Sequence, residues 1–151
     1  KLYNWWAISD TSGLCPEGWS VPSEWSWQYL ELHLGIPFNE LALDGYRGAE
    51  QNAGGNIQST SLWISHDNQN ATNATGFNGV PGGYRRGWEG YPLSDGQFRS
   101  KGYEAWWWSS TDPGFTGEVI PVRQVGYSGE GIWKHYVVKT RGLSVRCIKN
   151  N

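Results

Sequence analysis

Apolar residues recur at helical spacing first between Ser23 and Leu34, where Trp27, Leu30 and Leu34 fall on one stripe. Ser23, following Pro22, is a residue type that caps a helix start by accepting a backbone N–H, Gly35 suits a helix stop, and Pro37 lies beyond. The pattern predicts a helix over 23–34 with that stripe facing a core and with Trp25 and Leu32 off the stripe. Weaker helical spacing at Leu41, Ala42 and Tyr46 predicts a second helix over about 39–53, interrupted by Gly45 and Gly48.

The last third switches from helical spacing to runs of β-branched and aromatic residues. Glu118–Val125, Ile132–Lys139 and Leu143–Ile148 are separated by Gly126–Gly131 and Thr140–Gly142, which predicts a three-stranded antiparallel meander. Alternation in the last run puts Cys147 with Leu143 and Val145 on the apolar face. Pro121 lacks a ladder donor, so the first strand is expected at an edge or at a bulge. As a strand, Trp106-Trp107-Trp108 sends Trp107 to one face and its two neighbours to the other, so at least one of them is buried. Between 54 and 100, glycine, asparagine and serine dominate, and the segment reads as long loops pinned by Trp63, Phe77, Tyr84 and Trp88. Asn70-Ala71-Thr72 and Asn73-Ala74-Thr75 are read there as turn chemistry.

Composition changes this picture in two ways. Eleven tryptophans among 151 residues, with 21 glycines and only 17% charged residues, describe a loop-rich, aromatic-rich globule rather than a disordered chain or a helical bundle. A net charge of −2, with both signs spread along the chain, gives no field to recruit nucleic acid or an anionic membrane. No apolar run approaches the roughly 18 residues of a membrane-spanning helix, so direct membrane insertion is not expected.

Cys15 and Cys147 are the only cysteines, with no CxxC pair and no histidine at metal-ligand spacing beside either. A disulfide joining the two ends is the simplest reading and implies an oxidising, exported setting, with two buried free thiols as the alternative. Enzyme signatures are absent: there is no GxSxG elbow, HExxH helix, phosphate-cradling glycine loop or EF-hand, and His33, His66 and His135 are far apart. No cofactor and no metal is expected. Aromatic and polar residues in or beside the meander turns, Gln124, Tyr127, Trp133, His135 and Arg141, have the composition of binding hot spots, which combine rigid contact area with a polar tip.

The segments LYNWWAI (2–8), GLCPEGWSVPSEWSW (13–27), AGGNIQST (53–60), ATNATGFNGVPGGYR (71–85), WWSST (107–111) and GLSVRCIK (142–149) resemble the Fibrobacter succinogenes major paralogous domain, a family of bacterial surface modules. The resemblance implies an α+β, C-type lectin-like fold over 1–151 as one domain excised from a longer exported chain. In that fold the terminal strands pair, two helices pack on small antiparallel sheets, and long loops fill the middle. It also implies that Cys15 and Cys147 are the family's disulfide pair.

In this family and in related retroelement-diversified lectin-fold proteins, the segment between WWSST and GLSVRC is the variable, ligand-facing part. Carried over, Arg123, Lys139 and the GLSVRC block fall at framework positions. Asp112 to Gly117 with Phe115, Gln124, Gly126 to Glu130, Trp133, His135, Tyr136, Val137 and Arg141 fall where members differ, and Trp106 flanks them. Val137, Val138 and Pro121 depart from the Tyr, Ser, Asn and Asp common there. Neither an EPN or QPD loop nor a WND triplet occurs, so calcium-mediated sugar binding is not expected, although a glycan could stack on Trp133, Tyr127 or Trp106 without metal. The expected function is a noncatalytic, calcium-independent recognition module, secreted or on the outer surface, with a protein or glycan partner. The alternatives are an enzyme of the sulfatase-modifying lectin-fold type and a structural spacer of an envelope protein.

Overall fold

The computed structural model describes residues 1–10, 13–64, 70–88, 95–114 and 118–150. Its helices are α1 (Trp5–Ser9), α2 (Glu24–His33) and α3 (Ala53–Ile57), with one 3₁₀ turn at Phe38–Glu40. Its strands are β1 (Trp19–Ser20), β2 (Gly45–Arg47), β3 (Tyr84–Arg85), β4 (Phe98–Arg99), β5 (Glu104–Trp108), β6 (Val119–Gly126), β7 (Ile132–Val138) and β8 (Ile148–Lys149). The architecture is α+β: one four-stranded antiparallel sheet in the order β2-β7-β6-β5 and two small two-stranded pairs, β1-β8 and β3-β4.

The helix expected after Ser23 forms there because its start is doubly capped. Ser23 Oγ accepts from Ser26 N–H at 3.2 Å, and Ser26 Oγ accepts in return from Ser23 N–H at 3.3 Å. Gly35, at φ +91°, turns the chain away in a conformation other residues rarely adopt. Trp27, Leu34 and the half-buried Leu30 face the sheet, while Trp25 and Leu32 are exposed.

Strand alternation divides the sheet into two faces, each with its own core. Ala105, Trp107, Val125 and Ile132 point under α2 and pack with Trp27, Ile36, Leu41 and Ile57. Trp106, Trp108, Val122 and Val137 point the other way and pack with Trp5, Ile8, Ile120 and Leu143. The tryptophan run therefore splits as alternation requires, and all three rings are buried.

Several expectations are corrected. Residues 39–53 are not a helix: Gly45 (φ +97°) and Gly48 (φ +71°) lie in the left-handed region, and between them β2 runs extended as the edge partner of β7. The helix that joins α2 in the first core is α3, five residues long. The last third is not a three-stranded meander, because β2 occupies the outer side of β7. Gly142 instead exchanges backbone hydrogen bonds with Arg85, and Leu143 with Tyr3, which delivers the fully buried Leu143 side chain to the second core. Pro121 sits in a central strand. Its carbonyl accepts from Ser109 N–H just past the end of β5, so its missing donor faces a place where the ladder has already ended. Trp63 and Phe77 pin their loops onto the first core, but Trp88 is 71% exposed. Thr72 and Thr75 accept from Ala74 and Phe77 N–H and Asn73 Oδ1 accepts from Asn78 N–H, which is turn chemistry, and both threonines also donate to Asn56 and so tie the loop to α3.

The ends meet through β1 with β8, and Cys15 and Cys147 are joined there in a disulfide, Cα atoms 5.8 Å apart. Such a bridge belongs to an oxidising compartment. No helix among the described residues is long and apolar enough to cross a membrane.

Between α2 and the sheet lies a buried ionic network whose pairings the sequence pattern did not give. The Glu31 carboxylate, fully buried, accepts from Arg47 Nη2 at 2.9 and 2.8 Å and from Arg123 Nε at 2.6 Å. Arg123 also donates to both oxygens of Glu24 at 3.0 and 2.8 Å, and Lys134 Nζ lies 3.3 Å from Glu24 and 3.2 Å from Asp44. Burial works to raise the Glu24 carboxyl, but the Arg123 guanidinium bonded to it, with Lys134, holds it below the ordinary carboxylate value. Removing one member of a buried network strands the charges left behind. Glu31→Ala is expected to cost about 3–5 kcal/mol in denaturant unfolding, whereas the exposed Glu17→Ala changes stability by less than about 0.5 kcal/mol.

Candidate functional site

The open half of the second sheet face carries a row of rings that begins on the edge strand. Tyr46 on β2 lies directly across from Trp133 on β7, centroids 5.1 Å apart. Trp133 stacks on His135, two residues along the same strand, at 5.2 Å and 12°. His135 stacks on Trp106 of β5 at 5.3 Å and 27°, and Trp106 meets Tyr84 of β3 at 5.4 Å. The Arg141 guanidinium closes the row, 5.0 Å from the Tyr84 centroid and 5.6 Å from that of Trp106.

Each ring is held from below or beside. Gln124, on β6 between Trp133 and Trp106, pairs its Oε1 with His135 Nε2 at 3.2 Å. Trp106 Nε1–H donates to Glu104 Oε2 at 2.9 Å. Gly131 N–H donates to the Tyr46 hydroxyl at 2.7 Å, and Gln58 Nε2–H fastens the β6–β7 turn by donating to the carbonyls of Gly126 and Gly129. Burial pushes the His135 imidazole below its ordinary value, the Arg141 cation adds to that, and the Glu104 carboxylate opposes it. Beside the row a shallow cavity of about 230 Å³ is lined by Trp106, Val119, His135, Tyr136, Val137 and Arg141 among others. A larger hollow, about 460 Å³, lies between Lys1–Asn4 and Arg85, Phe98 and Thr140, and none of the stacked rings lines it.

Residues 1–149 match the Fibrobacter succinogenes major domain. The chain belongs to that family. No curated protein matches it, and no solved structure does.

In this Fibrobacter succinogenes major domain the residues singled out by sequence are only partly brought together. Trp106, Gln124, Trp133, His135 and Arg141 share the stacked row. Of these, Trp106 is 8% exposed with His135 lying on it, so it is a wall of the site rather than a free platform. Tyr136 alternates to the opposite face, where the Lys134 ammonium lies 5.8 Å from its ring centroid. Tyr127 lies beyond the end of β6 and packs edge-on against Tyr103 at 5.6 Å rather than on the row. Asp112 pairs with Lys139 Nζ at 2.9 Å; that bond, with the Gly114 amide, holds its carboxyl below the ordinary value. Lys139 itself lies over the Trp5 ring, so Asp112 belongs to the far end of the sheet. Phe115 lies outside the described residues.

Three members were missed: Tyr46, Tyr84 and Glu104. Tyr46 and Tyr84 come from outside the 106–141 segment, and only the pairing of β2 with β7 and the packing of β3 beside β5 bring them in. Glu104 had a local signal, since residues two apart on a strand share a face and its carboxylate can reach the Trp106 indole. The geometry also sets a steric condition. A Cβ added at Gly131 would lie 2.4 Å from the Arg47 carbonyl oxygen and 2.8 Å from Tyr46 Cζ. Gly131→Ala is therefore expected to lose about 1–3 kcal/mol in thermal or denaturant unfolding and to shift the Tyr46 and Trp133 ring resonances; an unchanged stability would contradict this packing.

Proposed function

We propose that this chain is a noncatalytic, calcium-independent recognition module, exported and displayed on a bacterial surface or secreted, on a C-type lectin-like frame. The observation that carries the reading is the stacked row itself: Tyr46 and Trp133, 43% and 37% exposed, stand at the surface above a locked sheet. Rigid aromatic area flanked by Gln124, Glu104 and Arg141 is the make-up of a binding hot spot. The lectin-like reading draws support from the pairing of the chain's ends, the helix packed on one sheet face and the loops that fill the middle. Surface display draws support from the disulfide.

The ligand is a protein or glycan presented by another cell or surface. Trp133 has Tyr46 on one side and His135 on the other, so the row offers ring edges and polar tips more than bare ring faces. That geometry suits a protein segment better than a pyranose ring, which needs an open face to lie on.

Pull-down and glycan-array screens should compare the wild type with Trp133→Ala combined with Tyr46→Phe and, as a control on exposed aromatics, with Trp25→Ala combined with Tyr29→Ala on α2. The first pair is expected to lose about 30-fold or more in affinity for whatever binds, as hot-spot truncation does, with the second unchanged. The reverse pattern would move the site to α2. The enzyme reading needs a reactive cysteine or a bound metal, and thiol titration tests the first of these. Thiol titration of the unreduced protein is expected to find none, and two titratable thiols would favour that reading instead.

A further inference from the structure

The hollow of about 460 Å³ beside β3 and β4 is lined by none of the stacked rings, and its volume is that of a small-ligand site. Chain pairing builds it. Arg85 and Phe98 face each other across β3 and β4, so both side chains stand on one face. On the other side of β3, Arg85 exchanges backbone hydrogen bonds with Gly142, which has no side chain to fill that face. A Cβ at Gly142 would lie 3.0 Å from Arg85 Cβ and 3.5 Å from Leu2 Cβ. Leu2, Asn4 and Thr140 complete the lining together with Lys1.

The polar side chains there present donors. Asn4 turns its Oδ1 to Ala7 N–H at 3.1 Å, which leaves the amide NH₂ for the hollow. Thr140 Oγ accepts from Trp88 N–H at 2.6 Å and keeps its own proton to donate. Arg85 and Lys1 carry donors only. No carboxylate lines the hollow among the described residues, so in a chain of net charge −2 it is a local excess of positive charge. Asp95, the acid nearest in the hairpin, is bonded to Arg86 at 3.4 Å and Arg99 at 2.9 Å, whereas the Arg85 guanidinium has no acceptor among the described residues. That guanidinium lies over Gly96, where a Cβ would come within 2.7 Å of Nη2. Phe98, across from it, is 71% exposed and has no ring partner among the described residues.

We propose that this hollow is a second binding site, for an acidic saccharide: a pyranose ring lies on Phe98 while Arg85 takes its carboxylate, with Asn4 and Thr140 donating to the oxygens that remain. The planar guanidinium fork matches a carboxylate with two parallel bonds, and an aromatic face covers the apolar side of a sugar ring. A small inorganic anion would use the donors and leave Phe98 bare. A neutral sugar would use Phe98 and leave Arg85 unpaired, and an acidic peptide side chain brings its carboxylate on a flexible stem with no ring to cover Phe98. An acidic pyranose satisfies both walls. The open ring face that the stacked row lacks is present here, and the site does not rest on the row being a binding surface.

Titration of the whole chain with tetragalacturonate, followed by NMR, tests the site. Saturable shifts are expected at Arg85, Phe98 and Thr140, with weaker binding at high salt because the hollow is open to solvent. The methyl-esterified tetramer, which keeps the rings and loses the charges, is expected to bind about tenfold more weakly or worse, as is the acid form to Arg85→Gln. Phe98→Ala is expected to lose several-fold, and Trp133→Ala nothing. Arg85 and Phe98 are both exposed, and unchanged indole N–H resonances of Trp27 and Trp108 verify that the variants keep both cores. The proposal is overturned by an absence of shifts around the hollow, by equal binding of acid and ester, by unaltered affinity in Arg85→Gln, or by tetraglutamate binding as tightly as the sugar. Loss of sugar binding in Trp133→Ala but not in Arg85→Gln would also overturn it, and would place the sugar on the stacked row instead.

Discussion

A single buried carboxylate fixes how the layers of this molecule meet. Glu31 has no access to water and is held by Arg47 from the edge strand and by Arg123 from a central one. A lone carboxylate in that position is prohibitively costly, so α2 can dock only where both guanidiniums await it, and the edge strand can close only where Arg47 reaches it. The clamp therefore ties one helix and two strands into one register. Apolar packing under Trp27 supplies the bulk of the burial, but packing alone tolerates sliding and the ion network does not. Balance within the cluster supports this: Glu24, Glu31 and Asp44 face Arg47, Arg123 and Lys134, three charges of each sign.

The same strands have opposite duties on their two faces. Toward α2, β7 contributes Ile132 and Lys134 to the locked side; one residue along in each case, Trp133 and His135 stand on the open side. Because side chains alternate with period two, a clamp on one face sets the register of the rings on the other. The disulfide acts at the far end, where it holds β8 against β1. Tyr46 and Trp133 stand partly exposed on that scaffold, stacked at 5.1 Å rather than folded inward.

What could be read from the sequence was what is local. The Ser23 cap, the Trp27 stripe and the alternation of Trp106 to Trp108 depend on neighbours within a few residues, and each forms as read. The strand runs at 119–126 and 132–138 were equally legible, and two cysteines alone, one near each end, pointed to the bridge that the family resemblance also implied. The failures in the fold are mainly non-local, whereas the opposite faces of His135 and Tyr136 follow from strand alternation alone. Gly45 and Gly48 signalled an interruption, but not that the piece between them would cross to β7, because nothing near Tyr46 in the chain names its partner. Leu143–Ile148 has strand composition, yet its neighbour was decided by which edge was already occupied.

The ionic network shows the same limit from the other side. Glu24 and Glu31 sit at helical spacing with Trp27 and Leu34, so they lie on the core stripe, and Arg123 stands between Val122 and Gln124 in a buried strand. Charges on apolar stripes are a signal that buried partners exist, but not which charge meets which. Within the stacked row, the segment between WWSST and GLSVRC provided Trp133, His135, Gln124 and Arg141. Asp112 and Tyr127 share that segment and fall elsewhere, and Tyr136 leaves the row for the other face of β7 while still lining the cavity beside it.

Native-state hydrogen exchange of the backbone amides tests the clamp most directly. If Glu31 locks the layers, amides in the last turns of α2 exchange only through the same global opening as those of Arg123 and Lys134, with one shared free energy and one shared denaturant dependence. If α2 exchanges through a smaller, separate opening while the sheet stays protected, the helix is docked by loose apolar contact and the account fails.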